Sequence, residues 1–548
     1  MPSILNSSGF PRTGRPGIYS RIDASALSGG DVASGNIAII GDFPSFQSHT
    51  PKLFGSRRSM SAYDLSDNDL SLLAQLAFSP SDDPAASAGA SSVRMVNARE
   101  TTAQASLDIG PLTIKSVIYG VKGDRLNAAL AISGDTHTLT LNRNGLSEEF
   151  KIESADLFSV ENEDAVNDLT VVIENGTATL TRNAIALLSV DSDEAPTLKA
   201  FVTLANELTD VSATLIEVSE IALDEIDYIS QTIGASSTET FKAPAYQLKQ
   251  ALSSSTLAEA TLDNSSAAAS LSATSQTATG GVDGATLDFT EALASVENTD
   301  VQIIVLFTED ANSQSLLGAH LTASATAGYE RQAYCAIAST ETLANVKTRA
   351  ASLNNAAIAL ASQSIKLVDP RGKTQTKSPK YTALMLAAMQ AGSDTGEPLT
   401  RKRPRIIETS QSWDAYADIE QAIKSGTIAI STDNLGPRVE RSITTYLTDN
   451  NPVYCEVSAY ESILVSLRTL RAALADQIGR PTRASQIPLI TSRVQSSLTS
   501  QVRDGVIKAF QNIQLEDLGD EVAISYEVAP VEPLNFISIT AVAVRITT

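Results

Sequence analysis

Short unbroken apolar runs alternate along this chain with longer stretches in which apolar residues recur every three or four positions. Asn36–Gly41 (NIAIIG) is almost wholly apolar, the pattern of a strand buried on both faces. Ser92–Val96 and Leu112–Val121 read as further strands, and 100–109 as a short helix. Leu65, Leu70, Leu73 and Leu76 lay an apolar stripe along a helix over 64–78. Asp64 or Ser66 is its cap, and Pro80 and Pro84 close it. From residue 301 the alternation becomes regular. Val301–Phe307, Arg331–Ile337 and Ser364–Val368 predict buried strands, and 311–327, 341–362 and 379–391 predict helices. Strands alternating with helices of this length predict a parallel α/β sheet.

Either side of this core the pattern differs. Residues 1–25 are rich in Pro, Gly and Ser and read as an extended arm, with a turn at Pro16-Gly17 and a short strand through Ile18, Tyr19 and Ile22. Residues 122–296 show strand-like alternation at Thr136–Asn142 and Ala178–Arg182, then long Ala/Ser/Thr stretches over 252–280. That composition predicts a β-rich peripheral insertion with a thin core. Beyond the core, 427–431 and 439–447 read as strands, and 457–478 as a helix with Tyr460, Ile463, Leu464, Leu467, Leu470, Leu474 and Ile478 on one stripe. A second helix is expected over 489–512, followed by strands at Val522–Val528 and Phe536–Ile546. The expected organisation is an arm (1–25), a first core segment (26–121), the insertion (122–296), the α/β segment (297–406), a carboxyl-terminal domain (407–533) and a final arm strand (534–548). The fold class is α/β plus α+β, in several domains with extended arms.

Charge sharpens this division. The net charge is −23, and residues 151–300 carry 25 acidic against 5 basic side chains. Residues 1–150 hold 14 acidic and 12 basic, and 301–548 hold 24 and 23. The excess therefore belongs to the insertion, which predicts a solvated, outward-facing surface. So acidic a chain is a poor partner for nucleic acid. No apolar run is long enough to span a membrane, and the first residues lack a signal-peptide pattern.

Two cysteines and three histidines are too few for a disulfide scaffold or a His/Cys metal cluster. No phosphate-binding loop or nucleophile elbow occurs. His320 lies beside Leu316, Leu317 and Leu321 and reads as structural; Cys335 reads as a small core hydrophobe. Cys455, near a helix start, is a candidate for a lowered pKa. The acidic groups at Asp64-Asp67-Asp69, Asp191-Asp193-Glu194 and Asp224-Glu225-Asp227 lack the spacing of a calcium loop and read as solvated faces. The expectation is no enzyme, no cofactor and no metal. One basic cluster remains. Residues 366–405 hold nine basic and three acidic side chains, ending in Arg401, Lys402, Arg403 and Arg405. Crowded cations need solvent or an anionic partner.

The order of these segments resembles the contractile tail sheath proteins of tailed bacteriophages and related injection machines. Arg15–Ser20 (RPGIYS) is similar to the family's early arm segment, and Asn36–Phe43 to its first core strand. Ser91–Ala98 and Pro111–Leu130 resemble the approach to its variable insertion. The segment 301–406, with VQIIVLF, His320, Val368-Asp369-Pro370 and the run ending PLTRKRPR, follows the family order. Val439–Tyr446, 457–478 and Pro530–Val544 resemble its carboxyl-terminal domain.

The resemblance implies a structural subunit that polymerises helically, or in stacked rings, around an inner tail tube and shortens to drive the tube through an envelope. It implies further contacts with baseplate and tail terminator proteins, none with nucleic acid or membrane, and a place in the virion after assembly in the host cytoplasm. Copies would be joined by Pro16, Gly17, Ile18, Tyr19 and Ile22 of the first arm and by Phe536, Ile537, Ile539, Val542, Val544 and Ile546 of the last. Arg401, Lys402, Arg403 and Arg405 are the candidate tube contact. The alternatives are the sheath of a phage-derived bacteriocin or another injection system and, more remotely, a hydrolase-like α/β enzyme.

Overall fold

The computed structural model describes residues 35–539, apart from 218–219, 269, 412, 415–416, 450, 481–485 and 520. The first arm and Val542, Val544 and Ile546 therefore lie outside the described residues. The chain divides into two compact units. One comprises Pro44–Gln47 and Thr101–Ala285; the other holds the segments before, between and after them.

The second of these units is built on a six-stranded sheet. Its strand order is Lys52–Phe54, Ser92–Asn97, Asn36–Gly41, Ile303–Phe307, Gln332–Ala336, Ile358–Ala361. All neighbours are parallel except the first pair. Asn36–Gly41 is central, pairing Ile37 with Ile303 on one side and with Val93 on the other. Every residue of Ile303–Phe307 and Gln332–Ala336 is buried, which is why these strands are written as continuous apolar runs. Side chains alternate across the sheet. Ile304, Leu306, Cys335 and Leu360 join a cluster with Leu293, Leu317, Leu321 and Val346 of the helices Phe289–Ala294, Ala311–Thr326 and Leu343–Leu353. Tyr334 points the other way and donates to Gln390 at 2.7 Å on the helix Pro379–Ala391. That helix starts on Pro379 and stops at Gly392, and eleven of its thirteen residues are buried.

Several expected elements shift, each for a local reason. The helix expected over 64–78 is two helices, Arg57–Tyr63 and Asn68–Phe78. Ser56 caps the first, and Asp67 caps the second by accepting from the Asp69 and Leu70 amides. The helix expected over 341–362 ends at Asn354, whose φ of 33° is left-handed. The remaining Ala/Leu-rich stretch becomes the edge strand Ile358–Ala361. The strand expected over 364–368 runs Ile365–Val368, outside the parallel sheet, and pairs antiparallel with Thr374–Lys377 and Glu408–Thr409. The strands expected at 427–431 and 439–447 form the hairpin Ala429–Asp433 and Gly436–Arg441. The helix expected over 489–512 runs Gln486–Arg503. Gly505, at φ 76°, turns the chain into the strand Ile507–Asp517.

The other unit is β-rich, as expected, but its core is not thin. Two apolar clusters fill it. One gathers Phe158, Val171, Leu180, Phe201 and Ile233 around the helix Leu198–Ala205. The other gathers Ile114, Leu126, Leu141 and Leu248 around the helix Pro244–Leu252. Its ends fall near 101 and 285 rather than at 122 and 296. Gln104–Ile109, expected to be helical, is a strand pairing with Leu112–Tyr119, which in turn pairs with Ala258–Leu262. At the far side Phe289, Ala292, Leu293 and Val296 join the core of the parallel sheet. Residues 101–285 carry 26 acidic and 9 basic side chains. Asp227 is no solvated carboxylate: it caps the helix Pro244–Leu252 through the Ala245 and Tyr246 amides at 3.0 and 2.8 Å, and burial raises its pKa.

Candidate functional site

The strands Ile507–Asp517 and Val522–Pro530 form a two-stranded antiparallel sheet. One face packs on the helices Val457–Leu474 and Gln486–Arg503. There Phe510, Leu515, Ile524 and Val528 cover Leu470, Leu474, Val494 and Leu498. The pairing is shifted between Gln511 and Gln514, where Asn512 takes a φ of 55°. Among the described residues no third strand joins either edge. The strands have eleven and nine residues, so their outer edges run about 35 and 30 Å.

The chain after Pro530 does not fold back on this hairpin. Residues 531–539 form neither helix nor strand, although a strand was expected from 536. Leu534, Phe536, Ile537 and Ile539 are 82, 78, 76 and 88% exposed. Four neighbouring apolar side chains so exposed are a patch that needs a cover. The root of this segment is nonetheless held. The Val531 amide donates to Ser462 Oγ at 3.4 Å, and Asn535 Nδ2 donates to Glu456 Oε1 at 2.8 Å.

The basic cluster is also more ordered than its sequence suggests. Lys402 pairs with Glu397 at 2.6 Å, Arg403 with Asp433 at 2.9 Å, and Arg405 with Asp82 at 2.5 Å. Arg401 approaches Glu440 at 3.6 Å and keeps 60% of its side chain exposed. The hydrogen bond from Arg403 holds the Asp433 carboxyl well below the usual carboxylate range. The anionic partners of the four cations thus come from this chain. Two of them, Asp433 and Glu440, flank a turn whose tip is Leu435, 81% exposed.

The candidate reactive groups are enclosed. His320 Nε2 lies 3.3 Å from Ser324 Oγ and 3.4 Å from Arg331 Nη1. Ser324 is wholly buried, and burial together with the Arg331 charge lowers His320 to about 4. Arg331 is spent on the carbonyls of Val296, Glu297, Thr299 and Tyr329. Burial pushes the Cys335 thiol up to about 12. Cys455 is raised too, not lowered, because desolvation outweighs nearby Arg441. Among the described residues no group of three or more His, Cys, Asp or Glu side chains is placed to hold a metal ion. No described helix is long and apolar enough to cross a membrane.

Sequence reasoning named the arm residues and the four cations, but missed the hairpin edge and Glu456. The signal for the first was present: Gly505 followed by alternation at Ile507 and Ala509. For Glu456 there was none, because its partners Arg441 and Asn535 lie 15 and 79 positions away.

Residues 280–445 match the family described as phage tail sheath protein central domain. The tail sheath protein of Bacillus phage SP01 is 22% identical, over 97% of this chain and 96% of its own length. The tail sheath protein of Staphylococcus phage Twort is 26% identical, over 46% of this chain and 44% of its own. Among solved structures, the sheath tail protein from Desulfitobacterium hafniense shares the fold. Its TM-score is 0.56 at 12% identity, covering 94% of this chain and 97% of that one.

Proposed function

We propose that this chain is a phage tail sheath subunit, as its matches to that family support, and that its copies polymerise helically around an inner tail tube and shorten to drive that tube through a host envelope. The observation that carries the reading is the pairing of two unsatisfied features on one chain. Among the described residues the hairpin Ile507–Asp517 and Val522–Pro530 has open edges, and the segment beside it exposes Leu534, Phe536, Ile537 and Ile539. The arm of one copy, about 534–548, adds as a strand to the hairpin of the next. Donor and acceptor are different surfaces, so the contact is head-to-tail and propagates as a helix unless the rotation closes a ring. Residues 15–23, which lie outside the described residues, are the second candidate for joining copies. Main-chain pairing tolerates a change of angle between neighbours, so the lattice stays connected as it passes between two packings.

The acidic unit, 101–285, faces outward, where its charge keeps finished tubes apart. The surface around Arg401, Lys402, Arg403, Arg405 and Leu435 meets the tube. Its cations are already paired, so an acidic tube side chain must exchange with Asp82, Glu397, Asp433 or Glu440, and Arg401 is the most open to exchange. The role is structural, in the virion after assembly in the host cytoplasm, with baseplate and tail terminator proteins at the tube's ends.

Electron microscopy tests both contacts. The intact chain should form tubes, and a chain lacking 534–548 should remain as soluble subunits; normal tubes from the shortened chain overturn the lacing. Replacing Arg401, Lys402, Arg403 and Arg405 together by Gln should leave self-assembly intact and reduce loading on the inner tube. Unchanged loading overturns the tube contact.

A further inference from the structure

The arm leaves the subunit beside a buried carboxylate. Glu456 is 1% exposed and sits at the start of the helix Val457–Leu474. The backbone around it is fixed: the Thr444 amide donates to Cys455 O at 2.9 Å, and the Val457 amide donates to Ser442 O at 3.3 Å. A single oxygen, Glu456 Oε1, then takes three donors. They are Arg441 Nε at 2.7 Å, Arg441 Nη2 at 2.6 Å and Asn535 Nδ2 at 2.8 Å. The same Arg441 guanidinium lies 5.8 Å from the centre of the Phe536 ring. Two consecutive arm residues thus touch one ion pair, one through its anion and the other through its cation. Upstream, the Val531 amide meets Ser462, one turn and a half further along the same helix.

Most of this arrangement is not needed for the fold of the helix. Glu456 makes no side-chain capping bond to it. Arg441 alone pairs with the carboxylate through Oε1, and Oε2 is buried with no hydrogen-bond partner among the described residues; removing a buried carboxylate's ionic partner is what usually costs stability. The contribution of Asn535 is separate: it ties an otherwise exposed strand precursor to a rigid point. The residues beyond, 536–539, make no strand contact and expose their apolar side chains.

We propose that Glu456 is the positioning residue of the carboxyl-terminal arm, clasping Asn535 and, through Arg441, Phe536, so that the arm leaves each subunit in one direction. This rests on the reading that the arm joins copies. A free arm explores many directions, and each must be given up when it finds a neighbour's sheet edge. The clasp removes that search, and it can open without unfolding the subunit, because among the described residues one hydrogen bond and one ring contact hold it.

Asn535→Ala tests the clasp from the arm side, where the fold is not at risk. The full chain, wild type and variant side by side, is treated with chymotrypsin and cleavage after Phe536 is timed. A hydrogen bond to a charged acceptor predicts cleavage faster by about tenfold or more, with an unchanged thermal midpoint. Asn535→Gln keeps the amide donor and should bring the rate back toward wild type. Equal cleavage in wild type and Asn535→Ala overturns the clasp. So does faster cleavage accompanied by a lowered midpoint, which would mark general loosening. Tube assembly is scored in parallel. If the wild type forms no tubes, the assembly reading falls, while the cleavage comparison still decides the clasp.

Discussion

Two helices of the same subunit bury opposite chemistry. Pro379–Ala391 lies against the parallel sheet with Ala383, Leu384, Met385, Leu386, Ala387, Ala388 and Met389 fully buried in succession. Val457–Leu474 turns Ser458, Ser462 and Ser466 inward, one every fourth residue. Leu470 and Leu474 pack on the hairpin, but the serine face is held by hydrogen bonds and an ion pair. Arg471 forms an ion pair with Glu330, Arg468 donates to the Glu330 carbonyl, Gln332 donates to the Val457 carbonyl, and Ser462 donates to the Val506 carbonyl. Ser458 Oγ and Arg468 Nε are buried with no hydrogen-bond partner among the described residues. The first helix is held by the non-directional hydrophobic effect and dense packing. The second is held by directional bonds that are partly unmet. The sheet with its sealed helix is the rigid frame. The seam under the second helix, which carries the hairpin and the arm root, is the part that can yield.

The largest effect should come from the sealed side. Leu386→Ala removes a fully buried side chain from a helix with no room to collapse, and should cost about 3–4 kcal/mol in denaturant unfolding. A loss below about 1 kcal/mol would remove the contrast. Glu330→Ala should cost about 3 kcal/mol, since Glu330 is buried and its loss strands the Arg471 guanidinium. Its signature is different: amide exchange should quicken across 457–474 and 507–530 before 379–391. Equal acceleration in both helices would show the seam to be no weaker than the frame.

The third prediction concerns pH, at the cations beside the seam. His320 is lowered to about 4 from 6.5 by burial and by Arg331. The unfolded chain therefore binds more protons than the folded one between those values. Stability is complete above pH 6.5, falls as pH drops, and levels off near pH 4. At pH 5 the loss should be about 2 kcal/mol. His320→Gln should flatten the midpoint against pH over that interval, and an unaltered slope would assign the acid sensitivity to other groups.

The frame was legible in the sequence because burial on both faces leaves no freedom in residue choice. NIAIIG and VQIIVLF cannot be surface strands, and Pro379 and Gly392 mark the helix between them. Where burial is one-sided, the period was ambiguous. IKAFQNIQL fits helix and strand about equally, and only the left-handed Gly505 and the hairpin partner at 522–530 decide. At 101–121 the deciding strand lies at 258–262, beyond the reach of any local pattern. The long helix misled in another way. Its apolar stripe was visible, yet Ile478 ends 37% exposed while the serines one face over are buried. Serines spaced by four were the available sign of close backbone approach. The basic cluster is legible by counting along the chain, but the acids that neutralise it are not: Asp82 and Asp433 stand 323 and 30 positions from their arginines.

The hairpin and the arm occupy one end of the sequence, but in the proposed lacing they play unlike parts. A filament laced by them has polarity. At one extremity the last subunits offer bare sheet edges with nothing to receive; at the other they trail arms with nowhere to dock. Under the proposed lacing no single capping protein would close both: the first layer would need a template that imitates one of these surfaces, and growth would need a stopper that imitates the other. The direction of a tail would then be written into the lattice by the subunit itself, before any tube passes through it.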